Sequence, residues 1–136
     1  LMEQRLKPVI DWISSISQVK VIHPGESVGY GRTFIAQKEM RIAIIPIGYA
    51  DGFKRSLSNG VGAVFIDNQR CPVVGRVCMD MIMVDLGELK IHSNTKVEII
   101  GSNQSLTQFA KDCHTIPYEI LTSISPRVHR SYSEEE

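Results

Sequence analysis

At 136 residues, 43% of them hydrophobic, the chain has material for one packed core, and its apolar runs fall short of the roughly 20 residues that cross a bilayer as a helix. Fifteen basic and fifteen acidic side chains cancel and intermix, which leaves no basic face to follow the phosphates of a nucleic acid. Cys71, Cys78 and Cys113 are odd in number and lack C-x-x-C spacing, which argues against a disulfide framework and a structural zinc site and fits a reducing compartment.

Alternating and β-branched runs recur at short intervals between Gly, Pro, Asn and Asp, the pattern of an all-β sandwich or barrel. Strands are expected near residues 9–16, 18–23, 27–37, 40–48, 62–67, 71–77, 80–86 and 95–101. "HPGES" joins the second and third as a tight hairpin, with Pro24 presetting one dihedral and Gly25 allowing a positive one. Within the third, "SVGYGRTF" sets Tyr30 between Gly29 and Gly31. Glycine in a strand interior costs roughly 0.5–1 kcal/mol relative to alanine, so the pair marks either a barrel corner or a tyrosine displayed to a ligand. "IDNQRC" is a hairpin turn, because Asp67 and Asn68 tolerate the left-handed conformation. Only the last third is helical: Ser105 caps a helix with Leu106, Phe109 and Ala110 on its apolar face. A second short helix starts at Pro117, capped by Thr115 or Ile116, with Ile120, Leu121 and Ile124 sharing a face.

The usual catalytic templates are missing: no metal-spaced His-Cys-carboxylate cluster, no glycine-rich strand-to-helix loop and no nucleophile elbow. His23, His92 and His129 lie in polar, loop-like surroundings that suit solvated side chains. What remains is three polar, glycine-flanked strand ends, "VGYGRTF", "IGYADGFKR" and "GRVCMDMIMVDL". Each one alone is a turn. Together, within a short span, they suggest a site at the rim of a barrel.

These stretches, in this order and followed by "TIPYEILTSISPRVHR", resemble the C-terminal domain of alanine racemase, over nearly the whole chain from about Leu6 to Tyr132. The resemblance implies a closed Greek-key β-barrel over residues 1–136, preceded in a longer chain by a (β/α)8 barrel. That barrel would carry the lysine that binds pyridoxal 5'-phosphate, a lysine motif to which nothing in this chain is similar. The domain alone is therefore expected to be inactive. The resemblance further implies a cytoplasmic bacterial homodimer interconverting L- and D-alanine for peptidoglycan synthesis, with Tyr30 as the base that reaches into the partner's pocket. Racemisation needs one base on each face of the substrate carbon, and the tyrosine would serve one of them. Met79 matches a position whose backbone N–H holds the substrate carboxylate; Tyr49, Arg55, Arg76, Asp80 and Ile124 match residues around the corridor into the site. Simpler readings compete, with Asp51 and Gly52 as turn residues and Arg76 with Asp80 as a surface pair. One departure is Pro126, where many family members have a tyrosine donating to the cofactor phosphate; proline has no such donor. The rival classes are a non-catalytic β-barrel interaction module and the C-terminal domain of a related fold-III decarboxylase.

Overall fold

The computed structural model describes residues 10–28, 34–91, 95–126 and 128. Tyr30, His92 and His129 lie outside them, so the expectations placed on these residues are not addressed by the fold.

The described chain is mainly β with two short helices. Nine strands run in the order β1 (Trp12–Ser15), β2 (Gln18–Ile22), β3 (Ser27–Val28), β4 (Phe34–Ile35), β5 (Met40–Ile45), β6 (Ala63–Ile66), β7 (Gln69–Pro72), β8 (Ile82–Asp85) and β9 (Lys96–Ile100). The helices α1 (Leu106–Asp112) and α2 (Pro117–Ser123) follow. Every paired strand is antiparallel, in sheets ordered β1-β9-β6-β7, β2-β5-β8 and β3-β4. The first two sheets meet at a single bridge, Val73 with Val84, reinforced by Val74 N–H donating to Met83 O at 2.8 Å. Hydrogen-bonded ladders alone thus describe three sheets rather than one continuous barrel wall.

Local chemistry explains most of the elements. The β6–β7 hairpin turns through Asp67 (φ 51°) and Asn68 (φ 66°), as their tolerance of the left-handed region predicts. Ser105 caps α1 by accepting from Gln108 N–H at 3.0 Å, and Leu106, Phe109 and Ala110 are buried. In α2, Pro117 occupies the first turn, Ile116 caps without a side-chain bond, and the Thr115 hydroxyl donates to the Glu119 carboxylate.

Three expectations are corrected. The strand expected over 27–37 is instead two short antiparallel strands that pair with each other, Ser27 with Ile35 and Val28 with Phe34. The turn in "HPGES" forms, with Gly25 at φ 89° and Glu26 N–H donating to His23 O at 3.0 Å. It does not close a β2–β3 hairpin, because β2 pairs with β5. The strands expected over 40–48 and 71–77 stop early, β5 just before Pro46 and β7 at Pro72, shortly ahead of Gly75 at φ 73°. Proline cannot donate to a ladder and the left-handed glycine turns the backbone out of it.

The main core packs Ile45, Phe53, Val64, Ile82, Ile99 and Phe109 between the two larger sheets and the helices. A smaller core lies on the other face of the β2-β5-β8 sheet, where Ile22, Val28, Ala36, Ile42, Val74 and Met83 meet. Strand β5 therefore buries both faces, Ala43 and Ile45 in one core and Ile42 in the other.

Candidate functional site

Beyond Ile45 the chain turns through a short 3₁₀ segment, Tyr49–Asp51, and a second one, Arg55–Leu57. These run beside the irregular segment that follows Gly75. Two backbone bonds join them: Tyr49 N–H donates to Cys78 O at 2.9 Å and Ala50 N–H to Met79 O at 3.0 Å. A third link is the Ser58 hydroxyl, which accepts from Val77 N–H at 2.8 Å and donates to Arg55 O at 2.7 Å. Asn59 N–H, donating to Gly75 O at 2.8 Å, adds a fourth.

Between the two segments opens a cleft of about 400 Å³ lined by Tyr49, Arg55, Arg76, Val77, Cys78 and Met79. Arg55 places its guanidinium carbon 5.6 Å from the centre of the Tyr49 ring, a cation–π contact that orients both side chains. Tyr49 and Met79 are exposed, at 43% and 51%. Among the described residues no partner accepts from the Met79 N–H, whereas the Met79 carbonyl is used within the fold. Two guanidiniums lining the cleft, with an uncommitted N–H on one of its lining residues, favour an anion of carboxylate size. Among the described residues no lysine lines the cleft.

Of the residues singled out from sequence, Tyr49, Arg55, Arg76 and Met79 thus share one cleft. Asp80 is exposed and follows Met79 without lining it. Ile124 is buried in the main core beneath the turn: a Cβ on Gly52 (φ 115°) would lie 3.1 Å from the Ile124 Cα, and Ser125 N–H donates to Asp51 O at 3.1 Å. Sequence reasoning missed Ser58 and Cys78, and it took Asp51 for a plain turn residue although its carboxylate is buried and accepts from Gly48 N–H at 2.9 Å. An acid in "GYADG" preceded by glycine at three residues' distance was the available signal. No group of metal-ligating side chains occurs among the described residues.

The other two cysteines, Cys71 and Cys113, do not line the cleft. Burial, with Asp85 adding to it, pushes the Cys71 thiol up to about 11, and burial does the same for Cys113, opposed in part by Lys54.

The family described as "Alanine racemase, C-terminal domain" matches residues 9–132. An alanine racemase of Brucella ovis is 48% identical over 130 residues, covering 92% of this chain and 32% of that protein. One from Halothermothrix orenii is 41% identical over 132 residues, covering 93% and 35%. The chain therefore spans about a third of the length of the curated relatives it matches. Among solved structures, alanine racemase from Bartonella henselae with covalently bound pyridoxal phosphate superimposes with a TM-score of 0.89 at 40% identity, over 94% of this chain and 36% of that one. The biosynthetic alanine racemase from Pseudomonas aeruginosa gives 0.87 at 36% identity, over 98% and 37%.

Proposed function

Since this chain belongs to the alanine racemase C-terminal domain family, we propose that it is the C-terminal domain of an enzyme that interconverts L- and D-alanine, and that its cleft is one half of the active site. The observation that carries the reading is the Met79 N–H, uncommitted among the described residues, in a residue that lines the cleft together with Arg55 and Arg76. An amino-acid carboxylate docked there receives a charge-assisted hydrogen bond from the backbone, with the two guanidiniums adding favourable potential. Tyr49, oriented by Arg55, and Asp80 border the corridor by which substrate arrives, and Ile124 supports the turn from below.

Tyr30 is the base for one face of the substrate carbon. Support comes from the family match over residues 9–132, within which "SVGYGRTF" keeps the tyrosine between its two glycines. Its Oη takes the α-proton of L-alanine and returns a proton to the same face in the reverse direction. A phenol of reference pKa about 10 does this only where its surroundings favour the phenolate, and those surroundings belong to the rest of the protein.

Pyridoxal 5'-phosphate, when bound, supplies the electron sink that makes the α-proton acidic enough to leave. The described residues fit a supporting position toward it: the cleft offers cationic and backbone donors but no lysine, and Pro126 has no donor for a phosphate. The covalent anchor therefore lies on an N-terminal (β/α)8 barrel, residues 1–136 being the β-domain of a cytoplasmic homodimer in which each tyrosine serves the partner's site. D-alanine for peptidoglycan is the product. The three sheets are arcs of one closed Greek-key barrel, a reading supported by the Val73–Val84 bridge between the two largest.

The test is Tyr30→Phe in the complete protein, with racemisation followed in both directions and cofactor loading checked by absorbance. The rate falls by about 10²–10⁴-fold with the cofactor still bound. An unchanged rate overturns the assignment of Tyr30 and returns its glycines to a structural role.

A further inference from the structure

The wall that presents the Met79 N–H is shaped from behind. Gly48 has an extended backbone, φ −154° and ψ −162°, which any residue adopts, so its side-chain-free state is not demanded by its dihedrals. It is demanded by space: a Cβ there would lie 2.3 Å from Cys78 O, 2.4 Å from Met79 O and 2.6 Å from the Met79 carbonyl carbon. Both of those oxygens are already held by the next two N–H groups of the turn, Tyr49 on Cys78 O and Ala50 on Met79 O. The turn itself is closed by Asp51, 7% exposed, whose Oδ2 accepts from Gly48 N–H at 2.9 Å while its own N–H donates to Gly48 O at 2.9 Å.

The consequence for Met79 follows from peptide geometry. The Cys78 carbonyl and the Met79 N–H belong to one planar trans unit and point in opposite directions. Holding Cys78 O against Tyr49 N–H therefore aims the Met79 N–H away from the turn. We infer that Gly48 and Asp51 are positioning residues that fix the Cys78–Met79 peptide plane and so set how tightly the enzyme holds the substrate carboxylate. The inference rests on the reading of Met79 given above. Neither residue touches substrate; each acts through the peptide it clamps.

Three variants of the complete enzyme test this, Gly48→Ala, Asp51→Ala and Asp51→Asn, by KM and kcat for both alanine enantiomers with cofactor absorbance as the control. Gly48→Ala and Asp51→Ala raise KM by about ten- to a hundredfold, the worth of a hydrogen bond to a charged group, while kcat changes less. Asp51→Asn keeps an oxygen acceptor for the Gly48 N–H and brings KM back to within about threefold of the parent. In protein labelled on methionine nitrogen, the Met79 amide resonance moves on addition of propionate in the parent and in Asp51→Asn, and moves less in Gly48→Ala. A folded, cofactor-loaded Gly48→Ala with the parent's KM overturns the inference, as does an Asp51→Asn no better than Asp51→Ala. Should Gly48→Ala not fold, the Asp51 pair decides alone. A parent that does not racemise alanine overturns the reading of the cleft and this inference with it; an active parent with insensitive variants overturns only the inference.

Discussion

Cys78 differs from the other two cysteines in what surrounds its sulfur. It lies on the cleft wall, half-buried, with its thiol directed at the Arg76 carbonyl at 3.7 Å, whereas Cys71 and Cys113 are buried in the main core. Reaction with an alkylating reagent requires an accessible thiolate. At pH 8 the native protein is thus modified at Cys78 while Cys71 and Cys113 react only after unfolding, an outcome read by peptide mapping. The raised thiols also make stability pH-dependent. Between the ordinary value of 9.0 and about 11 the unfolded chain has released these protons and the native chain still holds them, so stability falls as pH rises through that window. Urea titrations at pH 8 and pH 10.5 measure the fall, and Cys71→Ala with Cys113→Ala flattens the difference.

Elements whose chemistry is local were legible in the sequence, and those decided at a distance were not. The cap of α1 is local: Ser105→Ala removes the acceptor for Gln108 N–H and costs about 1 kcal/mol of stability, measured by thermal or denaturant unfolding, with Ser105→Asp close to the parent. The Asp67-Asn68 turn is local too, and it was read correctly for the same reason. The division of residues 27–37 into β3 and β4 depends instead on Val28 and Phe34 reaching a core on the far side of another sheet, which no alternation within the segment reveals. The cleft behaves likewise. Tyr49, Arg55, Arg76 and Met79 stand out in the sequence only through the family resemblance, and their convergence depends on backbone bonds between segments some thirty residues apart. The Ser58 hydroxyl that bridges those segments has no sequence signature. Ser58→Ala leaves Val77 N–H without its partner and costs about 1–3 kcal/mol, again by denaturant unfolding.

At the scale of the molecule, the cleft stands on the main core through Phe53. That side chain is fully buried, its ring centre 5.8 Å from that of Phe109, which in turn meets Trp12 edge-on at 6.1 Å. This aromatic chain ties the turn carrying Tyr49 to α1 and to β1. Phe53→Ala destabilises the fold by about 3–5 kcal/mol, as a lowered denaturation midpoint. Among the described residues the smaller core on the opposite face has far fewer buried members. It joins β3 and β4 to the sheet through Val28 and Phe34, and the two-residue strands contribute little hydrogen bonding of their own. Free energies of local opening are lowest where buried contacts are fewest. Amide deuteration will therefore separate the two cores: the N–H of Ala36, bonded to Glu26 O, exchanges through a small opening that low denaturant hardly accelerates, while the N–H of Val84, in the central ladder, waits for global unfolding. The β3–β4 pair is thus a thermodynamic subunit of its own, able to detach and reseat many times within one lifetime of the fold.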